Sequence, residues 1–275
     1  MWLGERITEK GIGNGISIIL AVNIVSRMPN DFYKLYQQFI QGKLIGTMVI
    51  AVAVITFVVL ATMVLSVLLQ DAERRIPVQY AKKVQGRKMF GGQSSHIPLK
   101  VNTANVIPII FASSLFQFPL IISQLFGVGK SGWGAKVLSC LNQGNWCDPE
   151  NPVRSIGLII YILLIVLFAY FYTSITFNPL EVSNNIKKQG GFIPGIRPGK
   201  PTTDYLNTIL NSIVFIGAVG LIIIAVIPIF FNGVFGADVS FGGTSLIIVV
   251  GVVLETIKQI ESQVLVRHYS GFLND

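Results

Sequence analysis

Leu44 to Leu69 reads LIGTMVIAVAVITFVVLATMVLSVLL, with no charged side chain and with apolar residues on every face of the helix it would form. At ~1.5 Å per residue, about 20 apolar residues cross a ~30 Å hydrocarbon core. A surface helix of a soluble domain keeps a polar face, so this stretch predicts a membrane span. Ile156–Phe177 and Leu206–Phe231 share the property. Working outward from these three runs, further spans are expected at 16–38, 101–128 and 244–266. The chain is therefore read as an all-α membrane protein, a polytopic transmembrane helix bundle forming one domain over residues 1–275.

Composition agrees. The hydrophobic share is 52%, the charged share 12% and the mean hydropathy +0.65, where soluble domains carry about 25% charged residues. The net charge of +8 lies between the spans and reads as a topology signal, not as a nucleic-acid-binding face. Segments 1–15, 71–100, 178–205 and 258–275 hold fifteen of the 21 basic residues, and the alternate segments hold six. By the positive-inside rule the basic segments and both termini are expected in the cytoplasm. No secretory signal peptide is read in Met1–Gly15, which lacks an apolar core before a cleavage site. The opening Met1-Trp2-Leu3-Gly4 looks like a cut just after a preceding span.

The segments 71–100 and 178–205 are long for connections. They read as basic loops, either simply solvated or forming a docking surface for an acidic or nucleic-acid-bearing partner. In the second, Pro194-Gly195-Ile196-Arg197-Pro198-Gly199 predicts tight turns that hold Arg197 outward. Gly11-Ile12-Gly13-Asn14-Gly15 lacks the Gly-Lys-Ser/Thr ending of a phosphate-binding loop. It reads instead as a close helix approach with Asn14 as a cap. His96 and His268 are the only histidines and fall outside the spans, so no metal site is expected. Cys140 and Cys147 share an external segment, where a local disulfide and two free thiols are both compatible with the spacing.

The predicted spans 44–69, 101–128, 156–177 and 206–231 hold no Asp, Glu, His or Lys, which argues against a membrane-embedded enzyme and against an ion-coupled carrier. A small-solute secondary transporter, built on broken helices, remains the alternative. The third span differs from the others. Asn102, Asn105, Ser113, Ser114 and Gln117 recur along it, and Pro108 and Pro119 are expected to weaken it. It reads either as a polar packing interface or as the movable wall of a wet path.

Several motifs, in order along the chain, resemble those of bacterial SecY-type protein-conducting channels. They are Trp2-Leu3-Gly4-Glu5 with Ile7–Ser17, Glu73-Arg74-Arg75-Ile76-Pro77-Val78-Gln79-Tyr80, His96–Asn102 with Val106-Ile107-Pro108, Gly190–Gly199, Gly242–Val250 and Gln259–Gln263. The resemblance implies the last six of ten spans in a two-half channel fold, with the first four missing. It also implies passage of unfolded secretory polypeptides across the plasma membrane, sideways release of apolar segments into membrane lipid, no catalysis and no cofactor. By motif position, Ile16, Leu20, Ile110 and Ile248 would form the pore ring, an apolar constriction that dewets and blocks ions. Asn105, Ser113, Ser114, Phe118 and Ile122 would form the lateral gate and signal-sequence contacts. Arg74, Arg75 and Arg197 would engage SecA or the ribosome and its RNA. The implied partners are SecE, SecG, SecA, the ribosome and the nascent polypeptide.

Overall fold

A computed structural model describes residues 2–13, 15–39, 45–80, 83–85, 88–90, 94–126, 133–146, 152–235 and 243–271. Helix dominates. The helices are α1 (Trp2–Lys10), α2 (Gly15–Phe39), α3 (Ile45–Asp71), α4 (Ile107–Phe126), α5 (Trp133–Leu141), α6 (Ile156–Thr176), α7 (Pro179–Lys188), α8 (Lys200–Phe235) and α9 (Gly243–Gly271). Four helical segments are long and apolar enough to cross a membrane: Met48–Asp71, Ile107–Phe126, Ile156–Lys188 and Lys200–Phe230. The α1–α2 pair, bent by 118°, passes the same test together, as a broken span or a re-entrant loop. In α9 the charges of Glu255, Lys258 and Glu261 interrupt the apolar run.

Span α3 satisfies its buried hydroxyls within its own helix, as suits a bilayer. In α3, Thr62 Oγ1 donates to the Val58 carbonyl at 2.9 Å and Ser66 Oγ to the Thr62 carbonyl at 2.7 Å. Both hydroxyls are thereby bonded inside their own helix, and the remaining apolar surface, with Phe57 72% exposed, is left for lipid.

The chain divides into two compact units, one of residues 1–68, 116–159 and 223–275, the other of 69–115 and 160–222. In the first, α1 packs on α2 and α2 on α9. The glycines make the α1–α2 approach close: a Cβ on Gly15 would collide with the Gly4 carbonyl and the Ile7 side chain. Gly13 has φ +91°, a left-handed value that suits glycine. The expectation for Asn14 lies outside the described residues.

The second unit contains a sheet within the segments read as loops. Strand β1 (Glu73–Tyr80) pairs antiparallel with β4 (Ser94–Lys100) in the register Ile76↔Ile97 and Val78↔Ser95, and on its other edge with β5 (Gly191–Phe192). Between β1 and β4, the short strands β2 (Lys83–Gln85) and β3 (Lys88–Phe90) pair with each other. Alternation explains the placement. Ile76 and Val78 point into a core with Leu99, Ile186, Ile193, Leu206, Ile209 and Ile213, while Arg75, Pro77 and Gln79 are exposed. This core also explains why α8 begins at Lys200 and not near 206: its first turns lie beneath the sheet, clothed by Leu206, Ile209 and Ile213.

The third expected span starts later than 101. Residues 101–106 form turns, and the helix begins at Ile107. Asn105 has φ +54°, outside helical geometry. Pro108 therefore sits in the first helical turn, where its missing N–H removes no bond; only Pro119 lies inside the helix and weakens it. Asn102 and Asn105 accordingly do not belong to the helix that carries Ser113 and Ser114.

Candidate gate helix and basic platform

The two faces of α4 differ. Ile109, Ala112 and Phe116 are buried at helical spacing. Ile110, Ser114, Phe118 and Ile122, each four residues from the next, form an exposed row. Ile110 is 47% and Phe118 65% exposed. One residue expected at the pore ring and three expected at the lateral gate thus share one stripe of one helix. Ser113 lies off the stripe, half-buried, with its Oγ 3.2 Å from the Tyr161 hydroxyl. Asn105, at the base of α4, accepts a hydrogen bond from Gln70 Nε2 at 3.2 Å through Oδ1.

The other expected ring residues lie in the first unit. Ile16 and Leu20 are one turn apart on α2 and both exposed, and Ile248 is half-buried on α9, the helix that packs on α2. Ile110 belongs to the second unit.

The basic platform is built from the β1–β4–β5 sheet, α7 and the start of α8. Asn178 caps α7, its Oδ1 accepting from the backbone N–H of Leu180 and Glu181, with Pro179 at the first helical position. Lys187 and Lys188 close the helix where its dipole favours cations. The Arg197 loop is held from below. Thr202, 2% exposed, donates from Oγ1 to the Arg197 carbonyl at 2.9 Å. Ser183, equally buried, donates to the Gly199 carbonyl at 3.1 Å. Gly195 and Gly199 take the left-handed φ values +83° and +111° that the turns require. The Arg197 side chain is exposed on this pinned backbone.

The three expected docking arginines are not equivalent. Arg75 bonds Glu73 of its own strand, with Nε and a terminal nitrogen both 2.7 Å from Oε1, so part of its charge is already answered. Arg74 and Arg197 have no ion pair among the described residues. Thr202→Val keeps volume and removes the hydroxyl. Losing this bond is expected to cost the loop about 1 kcal/mol, read as roughly fivefold faster amide exchange at residues 195–199.

Ser183, Thr202, Gln70 and Tyr161 were not singled out from sequence. Their signal, a hydroxyl or amide side chain, is common and marks no partner by itself. Helix α7 lies inside the segment read as a loop; Asn178 followed by Pro179, a cap and a first-turn proline, is the signal that could have marked its start. Cys140 is half-buried, and its carbonyl accepts from Trp146 Nε1 at 2.6 Å. The disulfide expectation involves Cys147, which lies outside the described residues.

Apolar spans, a proline-weakened helix with one exposed mixed stripe, and a folded basic platform define a multi-pass helical membrane protein. A family model described as SecY matches residues 1–257. Curated relatives described as protein translocase subunit SecY include that of Streptomyces galbus, 48% identical over 99% of this chain and 60% of the relative. They also include that of Halalkalibacterium halodurans, 45% identical over 99% and 62%, and that of Mycobacterium tuberculosis, 48% identical over 99% and 60%. The chain belongs to the SecY family, and it spans about 60% of the length of the curated relatives it matches. Two solved structures share the fold. One comes from work on the plug domain of SecY, with TM-score 0.64 at 20% identity, covering 95% of this chain and 62% of that one. The other is a protein conducting channel, with TM-score 0.61 at 19% identity, covering 94% and 61%.

Proposed function

We propose that the chain forms the six-span part of a polypeptide-conducting channel in the bacterial plasma membrane. Both termini and the basic platform face the cytoplasm in this reading. α2 and α9 are counted as spans with the four long apolar helices. Unfolded secretory chains pass a constriction made by Ile16, Leu20, Ile110 and Ile248, and apolar segments leave sideways past Asn105, Ser113, Ser114, Phe118 and Ile122. An apolar constriction dewets and resists ions while yielding to a peptide. The chain carries out no chemistry of its own. Energy comes from a partner docked on Arg74, Arg75 and Arg197, either SecA or the ribosome, with SecE and SecG as companion subunits.

The observation that carries this reading is the exposed row Ile110–Ser114–Phe118–Ile122 on a helix weakened at Pro119. A small-solute carrier would need a charged or strongly polar midplane site. This row offers aliphatic and aromatic surface with one hydroxyl, which suits an apolar peptide segment. The test is site-specific photo-crosslinking in membranes holding the whole channel and an arrested secretory precursor. A photoreactive residue at Ile110 or Ser114 is expected to capture the precursor, and one at buried Ile109 is expected not to. Capture of lipid alone from Ile110 and Ser114 would rule the reading out.

A further inference from the structure

The C-terminal half of α4 and the segment that follows it enclose a cavity of about 320 Å³. Gln117, Ile121 and Gln124 form its wall on α4, and Leu141, Asn142 and Gln143 close the other side. The closing side is anchored. Trp146 is fully buried, donates from Nε1 to the Cys140 carbonyl at 2.6 Å, and meets Phe116 edge to face with ring centroids 5.2 Å apart. A Cβ on Gly157 would collide with that indole and with the Cys140 carbonyl, so the start of α6 clamps the same tryptophan.

The lining holds the carboxamides of Gln117, Gln124, Asn142 and Gln143 and no charged residue. Gln143 Nε2 is buried and has no hydrogen-bond partner among the described residues. A buried donor left unpaired is costly, and the last torsion of a glutamine side chain is soft, so an acceptor inside the cavity would answer this group. A carboxamide carries a donor and an acceptor side by side, the complement of a peptide group. Such a lining suits main chain and disfavours ions, whose charge nothing there would balance. A space of this volume is narrower than the ~10 Å cylinder of a helix, so it admits an extended chain.

Position points to the occupant. Ile110, Ser114, Gln117, Ile121 and Gln124 are spaced four and three residues apart in alternation, which sets them on one stripe of α4, and all are exposed. The expected ring residue thus heads a stripe whose far end lines the cavity. At ~1.5 Å per residue, Ile121 lies ~16 Å along the helix from Ile110. A chain that passes Ile110 and follows the stripe covers this span with about five extended residues.

We propose that this cavity is a holding site for the main chain of the emerging polypeptide: its carboxamides bond successive peptide groups, whatever their side chains, and slow the chain's retreat once it has passed the constriction. This rests on the channel reading above.

The test uses the whole channel in membrane vesicles with SecA, ATP and precursors arrested at graded lengths. A photoreactive residue at Leu141 is expected to capture the precursor, starting at arrest points about five residues beyond the first that one at Ile110 captures. One at Val153, exposed on the same segment but outside the lining, is expected to capture none. Exchanging the emerging segment between serine-rich and valine-rich sequences should leave Leu141 capture unchanged. Removing ATP then lets the chain slide back, and Gln143→Leu is expected to speed that retreat about fivefold. Gln117→Leu, on the exposed wall, is expected to do the same, and it decides alone should Gln143→Leu fail to accumulate. Capture at Ile110 without capture at Leu141 overturns the proposal. So do capture of lipid alone at Leu141, dependence of capture on the emerging side chains, and an unchanged retreat rate in Gln117→Leu. Loss of precursor capture at Ile110 in the otherwise unsubstituted channel instead refutes the channel reading.

Discussion

Arg197→Glu is expected to lower partner-driven polypeptide transit by about tenfold or more while leaving membrane insertion of the chain unaltered. The Arg197 carbonyl is held by buried Thr202 and the neighbouring Gly199 carbonyl by buried Ser183, so the guanidinium is presented by a backbone already ordered. Ordering that is complete before binding does not have to be supplied from the binding energy. Reversing the charge replaces a bidentate donor for phosphate or carboxylate with a repelling acid. Insertion depends on the apolar spans, which the substitution does not touch. Arg75→Ala should have a clearly smaller effect, because Arg75 is already engaged by Glu73 at 2.7 Å. Vesicle transit assays at two salt concentrations check both, since an exposed charge contact weakens with ionic strength. Equal losses in the two variants, or none in Arg197→Glu, would refute the assignment of Arg197 as the principal docking residue.

The second large effect is structural. Val78 is fully buried between the sheet and the helices beneath it. Val78→Asp would place a carboxylate with no counter-charge in that core, at a cost on the order of 3–5 kcal/mol. A platform of this size has no such reserve. The platform is expected to unfold locally, with residues 73–100 and 189–199 becoming protease-sensitive and transit being lost. The spans should stay inserted, because each satisfies its own backbone. Gln79→Asp, one residue along on the exposed face of the same strand, is expected to shift stability by no more than about 0.5 kcal/mol. The contrast in limited proteolysis between neighbouring positions measures whether strand register, and not local charge, governs the outcome.

Much of the architecture was legible in the sequence. The runs at 44–69, 156–177 and 206–231 correspond to α3, α6 and α8, since a run without charge and longer than a bilayer is thick has few alternatives to a span. The start of α4 was not legible. Asn102–Val106 adjoins the apolar run with no glycine or proline before Pro108 to mark a break, yet Gly217 of α8 passes so close to the Val101 carbonyl that a Cβ there would collide with it, and the chain turns at that crossing. Strand β1 carries the alternation Ile76, Val78, Tyr80 of a half-buried strand, inside a segment whose charge alone reads as a basic loop. The row Ile110–Ser114–Phe118–Ile122 was visible as spacing. Its exposure was not, because a periodic row says only that residues share a face and not which face is covered.

Bulk hydropathy over lengths comparable to a bilayer was enough by itself to determine a multi-pass helical chain and to place α3, α6 and α8. It is a property of solvation, summed along the chain and insensitive to who neighbours whom. Which hydroxyl holds Arg197 outward, where α4 begins and which α6 side chain grips it were decided only by tertiary structure. Each depends on a contact between residues far apart in sequence, such as Ser113 with Tyr161 or Ser183 with Gly199, and pairings of that kind leave no periodic trace.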